Sequence, residues 1–106
     1  MNPEAQRIAI AKLCGWSDFR RDLIDPNMLW GAKTLGTMKS EEMEVPHYLT
    51  DLNAMHEAEW ALLSWGPEFR AVYYDLLRTR VDHRFAPATA PQRAEAFLRT
   101  FRRWVD

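Results

Sequence analysis

The stretch Thr89-Ala-Pro-Gln-Arg-Ala-Glu-Ala-Phe-Leu-Arg-Thr-Phe-Arg-Arg-Trp-Val105 decides the fold class. Thr89 followed three residues later by Gln92 is a capping box, in which hydroxyl and amide satisfy free backbone N–H groups at a helix start. Pro91 adds a φ already suited to the first turn. Ala94, Phe97, Leu98, Phe101, Trp104 and Val105 then recur at three- and four-residue spacing, which predicts an amphipathic helix with one apolar face to bury. Such a helix needs partner surfaces, and the rest of the chain supplies them.

Upstream, Gly66-Pro67-Glu68 separates two more helical patterns. After it, Phe69, Val72, Tyr73, Leu76 and Leu77 form an apolar stripe. Before it, Thr50 or Asp51 caps a helix with Leu52, Met55, Ala58 and Leu62 along one side and Ala54, Ala61 and Trp65 beside them. The short connection makes these two helices packed neighbours. At the other end, Asn2-Pro3-Glu4 reads as N-cap, first-turn proline and an acid suited to the helix dipole. The helix it opens is expected over about 3–14, stopping at Gly15 with Trp16 packed back over its last turn.

From Trp16 to Pro46 the helical period is lost and turn chemistry dominates, with Asp25-Pro26-Asn27, Gly31, Gly36 and Pro46. Met28-Leu29-Trp30 and Met43-Glu44-Val45 can pair as an irregular antiparallel hairpin around Lys33 to Glu42. Residues 80 to 86, Arg-Val-Asp-His-Arg-Phe-Ala, alternate briefly and are read as a short strand joining it. The fold class expected is α+β: a helix-rich small sandwich, about four helices on a short antiparallel sheet of two to three strands, in one domain over 1–106.

Composition agrees with a packed domain. The 106 residues carry 47% hydrophobic and 12% aromatic side chains, too many for a disordered tail. Cys14 is the single cysteine, so no internal disulfide is expected, which fits a reducing cytoplasm. No run reaches the roughly 18 apolar residues of a membrane span, and no export signal is read at the amino terminus.

The candidate chemistry is sparse. His56-Glu57-Ala58-Glu59-Trp60 resembles half of a zincin helix, but tryptophan stands where the second histidine is needed. A looser divalent-cation set would join His56 and Glu59 to His47 or Asp51. Set against it is the plainer reading of Asn53, His56 and Glu57 as solvent-facing, and no metal is assigned. Glu41, Glu42 and Glu44 read as a solvated loop, and Cys14 as a core residue, because the end of a helix disfavours a thiolate. No serine sits in a nucleophile elbow, and no glycine-rich phosphate loop is present. Charge, by contrast, is uneven: from Arg78 onward seven arginines face three acids, for +4, while residues 1–77 carry −5. Arginine suits bidentate contacts to phosphate or carboxylate, so a nucleic-acid or nucleotide partner stands beside the reading of a solvated surface.

Pro46-His-Tyr-Leu-Thr-Asp-Leu-Asn-Ala-Met-His-Glu-Ala-Glu59 and Thr89-Ala-Pro-Gln-Arg-Ala-Glu-Ala-Phe-Leu-Arg-Thr100, with Gly15-Trp16, resemble the small phage and prophage proteins of the phage ABA sandwich type. The resemblance implies a small α/β sandwich and expression in a host bacterial cytoplasm. That family carries no assigned activity, so no catalytic residue is handed over. Gly31 to Met43 departs from the family's tryptophan-proline strand pair, which leaves strand number and register open.

The expected function is therefore a non-enzymatic binding module without cofactor. It would dock on a host or phage protein and inhibit an antiphage defence. The contact residues expected are His47, Tyr48, Asn53, His56, Glu57, Arg99, Arg102 and Arg103. The alternative is a nucleotide- or metal-binding pocket, for ligand sequestration or a minor hydrolase, in which His56, Asp51 and an arginine converge. A homo-oligomer built on exposed aromatics is a third reading.

Overall fold

A computed structural model describes residues 1–80 and 88–106 of the chain. Helix α1 (Pro3–Leu13) starts as its sequence requires, the Asn2 side chain accepting from the N–H of Ala5 at 2.7 Å. It ends at Gly15, whose φ of +94° is costly for any residue with a Cβ; an added Cβ would also stand 3.1 Å from the Thr34 carbonyl. Trp16 does not stay with the helix but opens strand β1 (Trp16–Arg21) and is buried.

The sheet is built on β2 (Leu29–Leu35), paired antiparallel to β1 on one side and to β3 (Met38–Lys39) and β4 (Met43–Glu44) on the other. The expected pairing of 28–30 with 43–45 is present, as Trp30 opposite Glu44 and Gly31 opposite Met43. Four strands are present among the described residues, rather than two or three. The additions are β3 and β1, the latter a stretch with two consecutive arginines that only half alternates. The register slips by one residue between Ser17 and Arg20, and there Asp18 adopts φ +56°, the left-handed geometry of a bulge. Gly31 sits where chains crowd: a Cβ there would meet the Ser17 carbonyl and Val45, both at 3.2 Å.

Helix α2 (Leu52–Glu59) is capped by Asp51, whose carboxylate accepts from the N–H of Asn53 at 2.9 Å. The single helix expected from residue 52 to Trp65 is divided. At Trp60 the hydrogen bonds tighten to three-residue spacing, and a short α3 (Ala61–Trp65) follows. Helix α4 (Pro67–Arg80) comes next, and α5 (Ala90–Thr100) starts at Thr89 with both halves of the capping box formed. Arg80 closes α4; the rest of the strand expected over 80–86 lies outside the described residues.

Helix α5 packs against α1, α2 and α4 and is the centre of the core. Phe97, Leu98 and Ala94 are fully buried on it, facing Ile10, Met55, Leu62 and Tyr73 from the other helices. Aromatic rings continue this contact outward, Phe97 to Phe101 at 5.0 Å between centroids, Phe101 to Trp65 at 5.0 Å, and Phe69 stacked on Phe101 at 5.4 Å. Leu52 and Val72, expected on the buried stripes, are 41% and 48% exposed, because each lies at the margin of its helix's buried face.

The last helix also stops earlier than its apolar spacing predicts. Arg103 N–H bonds the Leu98 carbonyl at 2.8 Å and Arg102 N–H bonds the Arg99 carbonyl at 3.1 Å, a Schellman ending. The residue in the left-handed position is Arg102, φ +57°, where glycine is the usual occupant. Val105 consequently leaves the helical stripe and is 64% exposed.

Candidate binding surfaces

The segment from β4 to α2 carries five of the expected contact residues, and the structure sorts them differently. Arg7 of α1 reaches under this segment and donates to the carbonyls of Pro46 (3.1 Å), Asn27 (3.3 Å) and Val45. Burial lowers its pKa, and the carbonyls take up its donors, so it ties the segment to α1 rather than waiting for a ligand. His47 Nε2 lies 3.0 Å from Glu44, and its backbone carbonyl accepts from the N–H groups of Thr50 and Asp51, a turn that delivers Asp51 to the helix cap.

Tyr48 is no surface contact. It is 2% exposed, because the chain turns inward after Pro46, and its hydroxyl lies against Cys14. Burial pushes the Cys14 thiol up to about 11. Its folded value is raised above the unfolded one, so it contributes stability that is complete below about pH 9 and fades as pH rises toward 11. Thiol-reactive probes should accordingly label the folded protein at pH 8 about 100-fold more slowly than the urea-unfolded chain. Equal labelling rates would mean that the thiol is not buried.

Asn53, His56 and Glu57 are exposed on α2, as expected. His56 Nδ1 lies 3.0 Å from Glu59, and Arg93 of α5 donates to both oxygens of that carboxylate at 3.2 and 3.1 Å. Arg93 also bonds the Ala88 carbonyl at 3.1 Å, and the Tyr73 hydroxyl is buried beside the pair without a hydrogen bond of good geometry. His56 and one arginine thus meet through Glu59. Asp51, however, is spent at the cap, so the expected convergence of His56, Asp51 and an arginine does not form. Among the described residues, no three histidine, cysteine or acidic side chains are grouped to hold a metal. The acidic loop residues are engaged elsewhere: Glu42 takes Arg20, with one contact at 2.8 Å, and Glu44 takes His47.

Of the expected arginines, Arg99 is half-buried and occupied, bound to Glu95 at 3.2 Å and set over the Trp104 ring. Arg102 and Arg103 are exposed beyond the end of α5 rather than in its last turn, since the Schellman ending turns the chain there. Arg103 borders a cleft of about 580 Å³ lined by Ala5, Ile8, Ala9, Lys12 and Leu13 of α1. Among the described residues, Lys12 and Arg103 have no acidic partner. The floor is apolar at positions 5, 8 and 9, one helical stripe, and the rim is cationic.

Sequence reasoning missed the loop between β1 and β2. Leu23 is 97% exposed and Ile24 94%. The loop is nonetheless hydrogen-bonded within itself: Asp22 accepts from the N–H groups of Ile24 (3.2 Å) and Asp25 (2.9 Å) and from the Trp30 indole (3.3 Å), while Asp25 accepts from Asn27 (2.9 Å). The available signal was an Asx-turn pair, Asp22 and Asp25, enclosing two aliphatic residues with no helical or strand period to bury them.

No helix among the described residues is long and apolar enough to cross a membrane. Comparisons of the chain with protein-family models, curated proteins and solved structures give no significant match.

Proposed function

We propose that this chain is a non-enzymatic binding module that acts by occupying a surface on a host or phage protein. The phage ABA sandwich resemblance adds a phage or prophage origin and a bacterial cytoplasm as its place of action, and inhibition of an antiphage defence is the purpose proposed for such a module. The observation that carries the reading is the α1 cleft, where an apolar floor is rimmed by Lys12 and Arg103, cations without acidic partners among the described residues. Such a surface complements an acidic, partly apolar partner surface, and charge of this kind speeds encounter and selects partners. Elsewhere on the surface Glu59 is engaged with Arg93 and His56, Glu44 with His47 and Glu42 with Arg20.

The test is affinity purification of the tagged chain from its bacterial host, with mass spectrometry of the proteins and a nucleotide assay of the denatured eluate. One host or phage protein retained by the wild type and lost with Lys12→Glu/Arg103→Glu is the expected result. A nucleotide with no protein, or turnover of a substrate that disappears with His56→Ala, would replace this reading with the ligand-pocket one.

A further inference from the structure

The cleft on α1 runs from Ala5 to Leu13, with Arg103 beside it. At about 1.5 Å of rise per residue this stretch is about 12 Å long, close to two helical turns. Arg103 is brought there by the turn that ends α5, its N–H held by the Leu98 carbonyl at 2.8 Å. Lys12 follows Ile8 by one turn on the same side of α1. Past Ala5 and Ile8 the apolar surface continues into a second hollow, of about 400 Å³, that reaches Phe19 and Leu29. The cations of that hollow are matched, Arg20 with Glu42 and Arg21 with Glu4. The positive charge without an acidic partner among the described residues therefore lies in the first cleft, on Lys12 and Arg103.

The chemistry of the floor decides what form of partner fits. The backbone of α1 is hydrogen-bonded within the helix, so the floor presents side chains alone. An extended segment laid on it would cover its own amide groups against apolar carbon without partners, at a cost for each. A helix satisfies those groups internally and brings only side chains to the contact. Nucleic acid suits the two cations but not the floor, where Ala5, Ile8, Ala9 and Leu13 offer neither an aromatic ring for a base to stack on nor a polar side chain.

We infer that the α1 cleft takes an amphipathic helix of the partner protein, its apolar face on Ala5, Ile8 and Ala9 and its acidic residues against Lys12 and Arg103. This rests on the cleft being the binding surface, as read above, and names the kind of segment that occupies it.

Fluorescence anisotropy with three side-chain-stapled helical peptides tests it on the whole chain. One peptide has a leucine face flanked by glutamates, the second has lysines in place of the glutamates, and the third has the first peptide's residues in scrambled order. The glutamate peptide should bind saturably and tightest of the three. Lys12→Glu/Arg103→Glu should weaken it about tenfold and strengthen the lysine peptide. The variant's far-ultraviolet circular dichroism should be unchanged, since both side chains are exposed. A scrambled peptide, or a single-stranded oligonucleotide of equal charge, that binds as tightly as the glutamate peptide would overturn the inference. So would a glutamate peptide that does not saturate below about 1 mM, or one whose binding is indifferent to the charge reversal. A host or phage protein retained through Lys12 and Arg103 while the glutamate peptide fails would remove the helix and leave the binding module standing. Binding of the glutamate peptide with no such protein retained would uphold the preference of the cleft and remove the function proposed above.

Discussion

Phe97→Ala is expected to destabilise the protein by about 3–5 kcal/mol, the cost of removing a fully buried aromatic ring and leaving a cavity that neighbours only partly fill. Phe97 is 0% exposed and stands where α5 meets the other helices, edge-on to Tyr73 at 6.3 Å and tilted against Phe101 at 5.0 Å. Domains of this size are stable by roughly 5–15 kcal/mol in total, so the loss takes a large share of the margin. Urea unfolding followed by tryptophan fluorescence measures it. Trp60→Ala is the control: that ring is larger but 69% exposed, and its loss should change stability by about 0.5 kcal/mol or less. Comparable costs for the two would show that α5 is not the centre of the core.

Glu59→Ala should cost about 2–3 kcal/mol, more than its position on a helix surface implies. The carboxylate is 12% exposed and Arg93 19%, so removing it strands a largely covered guanidinium against the Ala88 carbonyl and the Tyr73 hydroxyl. The companion Arg93→Met should lose a similar amount. The double variant should lose less than the sum, because neither charge is then left without its partner. Additive losses in a double-mutant cycle would mean that the pair is an ordinary surface ion pair. Tyr73→Phe completes the set with the opposite sign: it removes a buried hydroxyl that lacks a well-formed hydrogen bond and should be neutral or slightly stabilising.

Much of the helical layer was legible before any coordinates. The Asn2, Asp51 and Thr89 caps are local devices, each satisfying backbone groups within three residues of itself; Asn2 and Thr89 form as read, and of Thr50 and Asp51 it is Asp51 that caps. The pairing of 28–30 with 43–45 was legible because both pieces are short, apolar and separated by turn residues. Strand β1 was not: its residues Asp18, Arg20 and Arg21 spoil the alternation, and what makes it a strand is the hydrogen-bonding edge of β2. The end of α5 was misjudged for a related reason, since Phe101, Trp104 and Val105 keep a helical spacing while the backbone turns at Arg102.

The binding surfaces divide in the same way. Residue types alone showed that no zincin histidine pair, nucleophile elbow or phosphate loop is written into the chain, and that arginines gather in its last third. Which arginines are free was decided by folding: Arg93 and Arg99 are drawn to Glu59 and Glu95, while Arg102 and Arg103 are turned outward. Tyr48 looked like a contact residue and became core, whereas Leu23 and Ile24, to which no spacing gave a place, became the most exposed large apolar side chains described. The sequence by itself determined where helices begin and which of their faces must be buried, because those follow from spacing and from hydrogen bonds a few residues long. The tertiary structure alone decided which charges are cancelled and which apolar groups find no cover, because both depend on what distant parts of the chain bring alongside.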